Sequence, residues 1–208
     1  MKTLNSEMQA AITPAEAVKM LKEGNERFVN NKTLTRDLLK QASETSEGQY
    51  PFAVILSCID SRVSSELIFD QGIGDIFSVR IAGNILNEDI LGSMEFGCKV
   101  AKSKLILVLG HTKCGAVKGA CDNVELGNLT TLLSKVKPAV DAEKTVTENR
   151  NSGNSDFVNK VTEINVRQVT QEIMERSPVL AEMVKAGECA IVGGVHDITT
   201  GVVDFYEN

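Results

Sequence analysis

The chain lacks the features of nucleic-acid-binding and membrane proteins. It has no excess of basic residues: 22 Lys and Arg stand against 28 Asp and Glu, a net charge of −6. A nucleic-acid-binding protein usually shows a basic stripe or an overall basic balance. No stretch approaches the length of a membrane span, and residues 1–11 contain no apolar run of the kind that a secretory signal needs. We therefore expect neither a nucleic-acid partner nor a membrane partner.

Cysteine is scarce and irregularly spaced. Five cysteines, an odd number without a dense framework of spacings, do not fit a secreted disulfide scaffold. No two of them form a Cys-x-x-Cys pair, which argues against a thiol oxidoreductase, because that chemistry needs a nucleophilic and a resolving cysteine. We expect reduced thiols or metal ligands and hence a cytoplasmic protein, in which Cys98, Cys121 and Cys189 are small core residues.

The rest of the composition is that of an ordinary globular protein. With 208 residues, of which 42% are hydrophobic and 24% charged, the chain is long enough to bury a sizeable core. We predict a single domain over residues 1–208, with residues 1–45 as an N-terminal helical arm. Within the arm, Thr13-Pro14-Ala15-Glu16 is a capping box with proline at the first helical position, so a helix is expected to begin there.

Short apolar runs rich in β-branched residues predict the strands of the fold. Three such runs cover residues 52–57, 76–82 and 104–110, and near-continuous apolar runs suit a parallel sheet that is covered on both faces. Residues 189–195 and 202–206 flank a turn and predict an antiparallel hairpin. The pattern predicts an α/β fold: a central, mostly parallel β-sheet flanked by helices, with an antiparallel C-terminal edge strand and the N-terminal helical arm.

Two motifs place reactive side chains at the ends of predicted strands. The motif CIDSR, residues 58–62, follows the first strand, and GHTKCG, residues 110–115, follows the third. In an α/β sheet, ligands collect at the carboxyl ends of the parallel strands. We therefore predict that Cys58, His111 and Cys114 converge on one zinc ion. Three protein ligands leave the fourth tetrahedral position open, which is typical of catalytic zinc.

The motif CxDSR, followed about fifty residues later by GHxxCG, resembles the characteristic motifs of the β-class carbonic anhydrases. The resemblance extends to TPAE and GNERF near the N-terminus, to DIFSVRIAGN, and to VHD near the C-terminus, so it covers nearly the whole chain. It implies a zinc-dependent enzyme for the reversible hydration of carbon dioxide to bicarbonate and a proton, by attack of zinc-bound hydroxide.

The resemblance assigns roles to particular side chains. Cys58, His111 and Cys114 match the zinc ligands of the family. Asp60 and Arg62 match its catalytic dyad, in which an aspartate held by an arginine accepts the hydrogen bond of the zinc hydroxide.

Five further positions match substrate-binding residues of the family. Gln49 matches a glutamine that meets the substrate or bicarbonate, often across a dimer interface. Phe77, Ala82 and Phe96 match apolar or aromatic walls of the carbon dioxide pocket, and Gly115 matches a glycine whose backbone N–H can meet bicarbonate. The resemblance also implies a homodimer or homotetramer, because the N-terminal arm wraps a partner subunit in similar proteins.

Some relatives close the site at low pH by letting the dyad aspartate ligate zinc, stabilised by bicarbonate in a pocket of tryptophan, arginine and tyrosine. The matching positions here are Ile55, Arg80 and His196, and the chain contains no tryptophan. We therefore expect Asp60 to stay off the metal near neutral pH. For Arg80 a plainer alternative stays open, namely a bond to a carboxylate such as Asp75 or to a carbonyl.

Two other functions stay open on the sequence alone. A non-catalytic zinc protein would need a closed site with four protein ligands, which here could only be the three predicted ligands and Asp60. A same-fold hydrolase of carbon disulfide or carbonyl sulfide would keep the site and differ in the access tunnel. His196, the only other histidine, is interpreted as structural rather than as a proton shuttle.

Overall fold

The structure, a computed structural model, describes residues 3–206. The strands are β1 (Ala53–Ser57), β2 (Ile76–Arg80), β3 (Leu105–His111), β4 (Ala190–His196) and β5 (Val203–Phe205). The helices are α1 (Ser6–Ala11), α2 (Pro14–Val29), α3 (Leu38–Glu44), α4 (Ser65–Ile68), α5 (Glu88–Glu95), α6 (Gly115–Cys121), α7 (Gly127–Ser134), α8 (Lys137–Ala142), α9 (Ser155–Arg176) and α10 (Pro178–Lys185).

The strands form one five-stranded sheet in the order β2-β1-β3-β4-β5. The first four strands are parallel, and β5 is antiparallel to β4 at one edge. This arrangement confirms the predicted α/β fold class, including the antiparallel C-terminal edge strand.

One predicted boundary is wrong. The sequence predicts a strand over residues 76–82, but β2 ends at Arg80 and a 3₁₀ turn spans Ala82–Asn84. Gly83 within this turn has φ 69°, a left-handed conformation that no strand contains and that glycine adopts at little cost. Ala82 therefore lies in a turn beyond the sheet.

Helix α2 begins at the predicted capping box. The Thr13 hydroxyl accepts a hydrogen bond from the Glu16 N–H (3.2 Å), and the Glu16 carboxylate accepts one from the Thr13 N–H (2.7 Å). Further along the helix, Gly24 lies so close to the carbonyl of Phe69 that a Cβ would stand 1.8 Å from its oxygen. The helix of the N-terminal arm therefore packs directly against its own chain.

Alternate residues of the parallel strands face two different apolar cores. In β1, Val54 and Leu56 share a core with residues of α5, α9 and α10, whereas Ala53 and Ile55 share one with residues of α2 and α4. All residues of β1 and β3 are buried. Helices on both faces explain why these strands are continuous apolar runs in the sequence.

The register of the sheet determines which residues reach its carboxyl rim. Ser57, the last residue of β1, pairs with Leu109 of β3 on one side and with Arg80 of β2 on the other. Cys58 therefore leaves β1 beside the end of β3, which His111 completes. The rim predicted from strand order is confirmed.

The remaining cysteines are buried, as predicted. Cys98 and Cys189 belong to the core shared by α5, α9 and α10, with their sulfurs 3.6 Å apart, and Cys121, the last residue of α6, lies in a separate core. Among residues 3–206, no helix combines the length and the apolar character that a membrane crossing requires.

Candidate metal centre

Cys58, His111 and Cys114 come together at the carboxyl rim of the sheet. The two sulfurs and a ring nitrogen of the histidine all lie within 4.8 Å of one another, and the sulfurs are 4.0 Å apart. All three side chains are buried. Residues 3–206 contain no other cluster of three or more His, Cys, Asp or Glu side chains with this spacing.

A tight turn after β3 returns the chain to this rim. The Thr112 N–H donates to the His196 carbonyl of β4 (3.0 Å), and Lys113 then adopts a left-handed conformation with φ 59°. Cys114 follows as the N-cap residue of α6. His111 and Cys114 thus face the same point although one ends a strand and the other begins a helix.

The His111 ring is oriented so that one nitrogen is left for a ligand. Nδ1 lies 2.9 Å from the carbonyl oxygen of Thr112. Because a carbonyl oxygen can only accept, Nδ1 carries the proton and Nε2 presents its lone pair. Nε2 is buried and has no hydrogen-bond partner among residues 3–206, which is costly for a polar atom unless something binds it. A backbone bond at the other nitrogen is the usual support of a metal-ligating histidine.

The two cysteines are electrostatically coupled. The hydrogen bond between the two sulfurs lowers the pKa of Cys58 and raises the pKa of Cys114. Backbone N–H groups also favour thiolates: that of Gly83 bonds the Cys58 sulfur (3.3 Å), and those of Ala116 and Val117 lower the pKa of Cys114. A divalent cation between the sulfurs would remove their repulsion and allow both to ionise. The donor set therefore fits a metal ion.

Asp60 is held beside this cluster by Arg62. The guanidinium donates through Nε to Oδ1 (2.9 Å) and through Nη2 to Oδ2 (2.8 Å), and the Arg62 backbone N–H also donates to Oδ1 (3.0 Å). These bonds keep the pKa of Asp60 well below its usual range, so the carboxylate stays ionised. Oδ2 lies 4.0 Å from Nε2 of His111, which is too far for a hydrogen bond. Asp60 is thus an ionised acceptor at the edge of the cluster.

Two of the predicted substrate-binding residues lie next to the cluster. Ala82 directly precedes Gly83, whose N–H bonds the Cys58 sulfur. Gly115 directly follows Cys114 and is the first residue of α6, a position whose N–H has no partner within the helix. Both residues therefore border the rim where the cysteines meet.

The other three predicted substrate-binding residues lie away from the cluster of their own chain. Phe77 pairs with Val54, four residues before Cys58, which corresponds to roughly 13 Å along the strand. Phe96 packs against Phe77 with ring centroids 6.2 Å apart and is 53% exposed. Gln49 is exposed in the segment that leads into the amino end of β1. Within one chain these side chains do not join the cluster of Cys58, His111 and Cys114.

Two residues that shape the site were not predicted from the sequence. Gly83 supplies the N–H that meets Cys58, and the buried Asn165 of α9 donates to the Gly83 carbonyl (3.1 Å), holding that turn in place. A glycine directly after the predicted strand over residues 76–82 is a turn signal that could have indicated Gly83. No pattern in the sequence indicates Asn165, which lies inside a long helix.

The sequence offers two roles for Arg80 and favours a structural role for His196. Arg80 bonds backbone carbonyls, through Nε to Cys58 (3.0 Å) and through Nη2 to Asp60 (2.7 Å). His196 is buried and pairs with His111 across β3 and β4. Burial lowers the pKa of His196 to about 4, so the ring is neutral at physiological pH, which favours the structural interpretation.

Comparison with known proteins identifies the family. The family model described as Carbonic anhydrase matches residues 53–203. The chain belongs to the β-class carbonic anhydrases. Carbonic anhydrase 2 of Mycobacterium tuberculosis is 38% identical over 197 residues, 90% of each protein, and the carbonic anhydrase of Mycolicibacterium smegmatis is 36% identical over 196 residues, 92% of each. The enzymes of this family are lyases that hydrate carbon dioxide, which confirms the predicted enzyme class.

Solved structures agree with this assignment. The Coccomyxa β-carbonic anhydrase, solved in complex with acetazolamide, superposes with a TM-score of 0.71 at 25% identity, covering 88% of this chain and 82% of its own. A tetrameric β-carbonic anhydrase from Sordaria macrospora has a TM-score of 0.70 at 23% identity, covering 80% of this chain and 85% of its own. The second likeness shows the fold alone.

Proposed function

We propose that Cys58, His111 and Cys114 bind Zn²⁺, and that Asp60 and Arg62 form the catalytic dyad for the reversible hydration of carbon dioxide to bicarbonate and a proton. The observation that carries this proposal is the buried, unpartnered Nε2 of His111 within 4.8 Å of two sulfurs. Thiolate and imidazole ligands favour zinc over harder cations. Zn²⁺ held by these three residues would supply the Lewis acidity that activates water for the reaction.

The dyad controls the orientation of the nucleophile. Asp60 is ionised, so it accepts a hydrogen bond from a hydroxyl group and turns that group's lone pair toward carbon dioxide. Arg62 bonds both carboxylate oxygens and keeps Asp60 from rotating onto the ligand cluster. A bound molecule that has no proton to donate to the Asp60 carboxylate is disfavoured in the same position. The proton that hydration releases then passes to solvent or buffer.

We further propose that Gln49, Phe77 and Phe96 complete the active site of a second copy of the chain. They lie away from the cluster formed by Cys58 in their own chain, and Phe96 is 53% exposed. A two-fold dimer can bring such a surface of one subunit to the metal centre of the other. A homodimer is therefore the minimum assembly, and a homotetramer is the alternative, since the Sordaria relative is tetrameric.

Metal analysis combined with stopped-flow hydration of carbon dioxide tests the zinc-enzyme proposal. We expect one zinc per chain, rapid hydration, and inhibition by acetazolamide, the compound bound in the Coccomyxa relative. Zinc without turnover would favour the non-catalytic zinc protein. Turnover of carbon disulfide or carbonyl sulfide in place of carbon dioxide would favour the same-fold hydrolase. Hydration by protein that carries no metal would contradict the ligand assignment.

Mixed dimers test the shared site. The variant Cys58→Ser keeps the surface formed by Gln49, Phe77 and Phe96 but loses a proposed ligand. The double variant Gln49→Ala/Phe96→Ala keeps the proposed ligands but loses two residues of that surface. If sites form across the dimer, co-expressing these two variants in equal amounts restores about a quarter of the wild-type activity, because about half of the dimers are mixed and one of the two sites in each mixed dimer is intact. Absence of any recovery in mixed dimers that form normally would assign the two halves to the same chain.

We also propose that residues 1–208 form one domain and that the protein is cytoplasmic. The contact of Gly24 with Phe69 ties the N-terminal arm to the sheet-bearing part of the chain, which supports a single domain. The five cysteines are all free, as expected in a reducing compartment. Limited proteolysis and cell fractionation test the two statements.

A further inference from the structure

Arg80 links two strand ends at the metal centre. It is the last residue of β2 and is in register with Ser57, the last residue of β1. Its side chain reaches past the end of β1, where Nε donates to the Cys58 carbonyl (3.0 Å) and Nη2 to the Asp60 carbonyl (2.7 Å). The planar guanidinium presents several donors in a rigid fork, so one side chain can hold two carbonyls in a defined orientation.

These two bonds to carbonyls are the hydrogen bonds that the Arg80 side chain makes within residues 3–206. No carboxylate oxygen of that part of the chain lies within ion-pairing distance of its guanidinium. The side chain is exposed, so removing it opens no cavity in the core. Its contacts therefore act on the turn that begins at Cys58 and carries Asp60, rather than on an ion pair or on packing.

Two arginines hold Asp60 from opposite ends. Arg62 bonds the carboxylate, and Arg80 bonds the carbonyl of the same residue. The carboxylate has little distance to travel, since Oδ2 lies 4.0 Å from Nε2 of His111. A modest rotation of the turn would place this oxygen on an ion bound by the cluster and would occupy the fourth ligand position.

We propose that Arg80 is a positioning residue that fixes the Cys58–Asp60 turn so that Asp60 remains beside the metal and does not ligate it. The inference rests on the proposed zinc site. Arg80 touches neither the substrate nor the reacting atoms, and it acts through the backbone of the ligand and of the dyad aspartate. Loss of its two bonds lets the turn relax and shifts the site toward a closed, four-ligand form.

Cobalt substitution gives a measurement that does not depend on turnover. Co²⁺ in place of zinc absorbs visible light, and azide changes this absorption only where an open ligand position admits it. The variants are Arg80→Ala, Arg80→Lys and, as a matched control, Arg176→Ala, which removes a surface arginine that pairs with Glu88 and Glu172.

We expect Arg80→Ala to keep one metal per chain, to need more azide for the spectral change, and to lose about ten- to a hundredfold in kcat/KM, the range typical of residues that support metal ligands. We expect this decrease in kcat/KM to come from a lower kcat more than from a higher KM. Arg80→Lys is expected to recover the azide response and kcat/KM only in part. Its ammonium group is a point donor and lacks the planar guanidinium geometry that lets arginine bond both carbonyls. Arg176→Ala behaves like the wild-type protein.

A cobalt spectrum and an azide response in Arg80→Ala equal to those of Arg176→Ala would overturn the inference, whatever the activity. Loss of metal from Arg80→Ala, with a normal azide response in the fraction that keeps it, would also overturn it, because Arg80 would then only support folding of the site. If Arg80→Ala does not fold, Arg80→Lys carries the same comparison. A wild-type protein that binds no metal contradicts the proposed function itself, before any variant is compared.

Discussion

The sulfur atoms of Cys58 and Cys114 lie 4.0 Å apart although the two residues are 56 positions apart along the chain. Cys58 follows β1, and Cys114 begins α6 after β3, so the pair exists only when the two neighbouring strands are in register. In that register the two sulfurs are so close that ionisation of one hinders ionisation of the other. Their use as two thiolates therefore depends on a cation.

Replacing Cys114 by serine tests this dependence. A serine hydroxyl keeps the size of the side chain but does not supply a thiolate. Cys114→Ser is therefore expected to abolish hydration and to lower zinc affinity by more than about a hundredfold, which exceeds the effect typical of residues that only hydrogen-bond a metal ligand. Zinc content after gel filtration gives the measurement. The control Cys121→Ser alters another buried cysteine that is outside the cluster. Equal zinc in both variants would contradict the ligand assignment.

Replacing Asp60 by asparagine separates the dyad from the ligand set. Asp60→Asn keeps the shape of the side chain but removes the charge, so we expect full zinc content and a decrease in kcat of about a hundredfold. The control Asp122→Asn changes an aspartate far from Asp60 along the chain, whose carboxylate accepts a hydrogen bond from the Ser152 N–H. Zinc analysis and stopped-flow hydration provide both measurements. Loss of zinc from Asp60→Asn alone would make Asp60 a ligand, as the non-catalytic alternative requires.

The convergence of Cys58 and His111 could be predicted from the sequence because both residues stand at the ends of strands. Buried parallel strands are continuous apolar runs, and such runs end where polar or reactive residues begin. Cys58 and His111 each stand at such an end, so strand order alone places them at one rim. The ends of the apolar runs in the sequence are therefore sufficient to predict where Cys58 and His111 lie.

The partners of Arg80 and Phe77 could not be predicted, because they depend on the register between β1 and β2. Whether Arg80 meets a carboxylate or a carbonyl is decided by its pairing with Ser57, which places it beside the turn after β1. The same register pairs Phe77 with Val54 and so separates it from Cys58 of its own chain. An apolar run in a sequence reveals a strand but not its alignment with a neighbour.

Gly83 is expected to resist substitution for two separable reasons. Its φ of 69° is strained for any L side chain, and a Cβ would stand 3.2 Å from the Ala116 Cβ and 3.3 Å from a methyl carbon of Val136. Gly83→Ala should therefore cost about 1–3 kcal/mol of unfolding free energy and disturb the N–H bond to Cys58.

The control for Gly83→Ala is Gly127→Ala. Gly127 also has a positive φ, 43°, but a Cβ there would meet no atom of residues 3–206 within 4 Å. Urea unfolding and the cobalt spectrum are compared for both variants. We expect a loss of stability in each, but a changed cobalt spectrum only in Gly83→Ala. An unchanged spectrum in Gly83→Ala would show that the N–H bond to the sulfur does not influence the metal centre.

Glu143 provides a prediction on stability against pH. Its buried carboxylate accepts bonds from the Thr145 hydroxyl, from the Thr145 N–H (2.7 Å), from the Val146 N–H (3.2 Å) and from Arg150 (2.8 Å). Chiefly through Thr145, these bonds lower the pKa of Glu143 from 4.5 to about 2. A lowered folded-state pKa stabilises the protein above the unfolded-state value, and this stabilisation is lost as the pH falls through the folded-state value.

We therefore expect Glu143→Gln to have a lower urea midpoint than the wild-type protein at pH 7, with a difference that shrinks as the pH falls from about 4.5 to about 2, because the wild-type carboxyl then becomes neutral as well. Both proteins are measured at each pH, so any loss of metal affects them alike. The control Glu148→Gln alters an exposed glutamate in the same loop and should leave the midpoint unchanged. A difference between Glu143→Gln and wild type that persists unchanged at the lowest pH would locate the effect in packing rather than in charge.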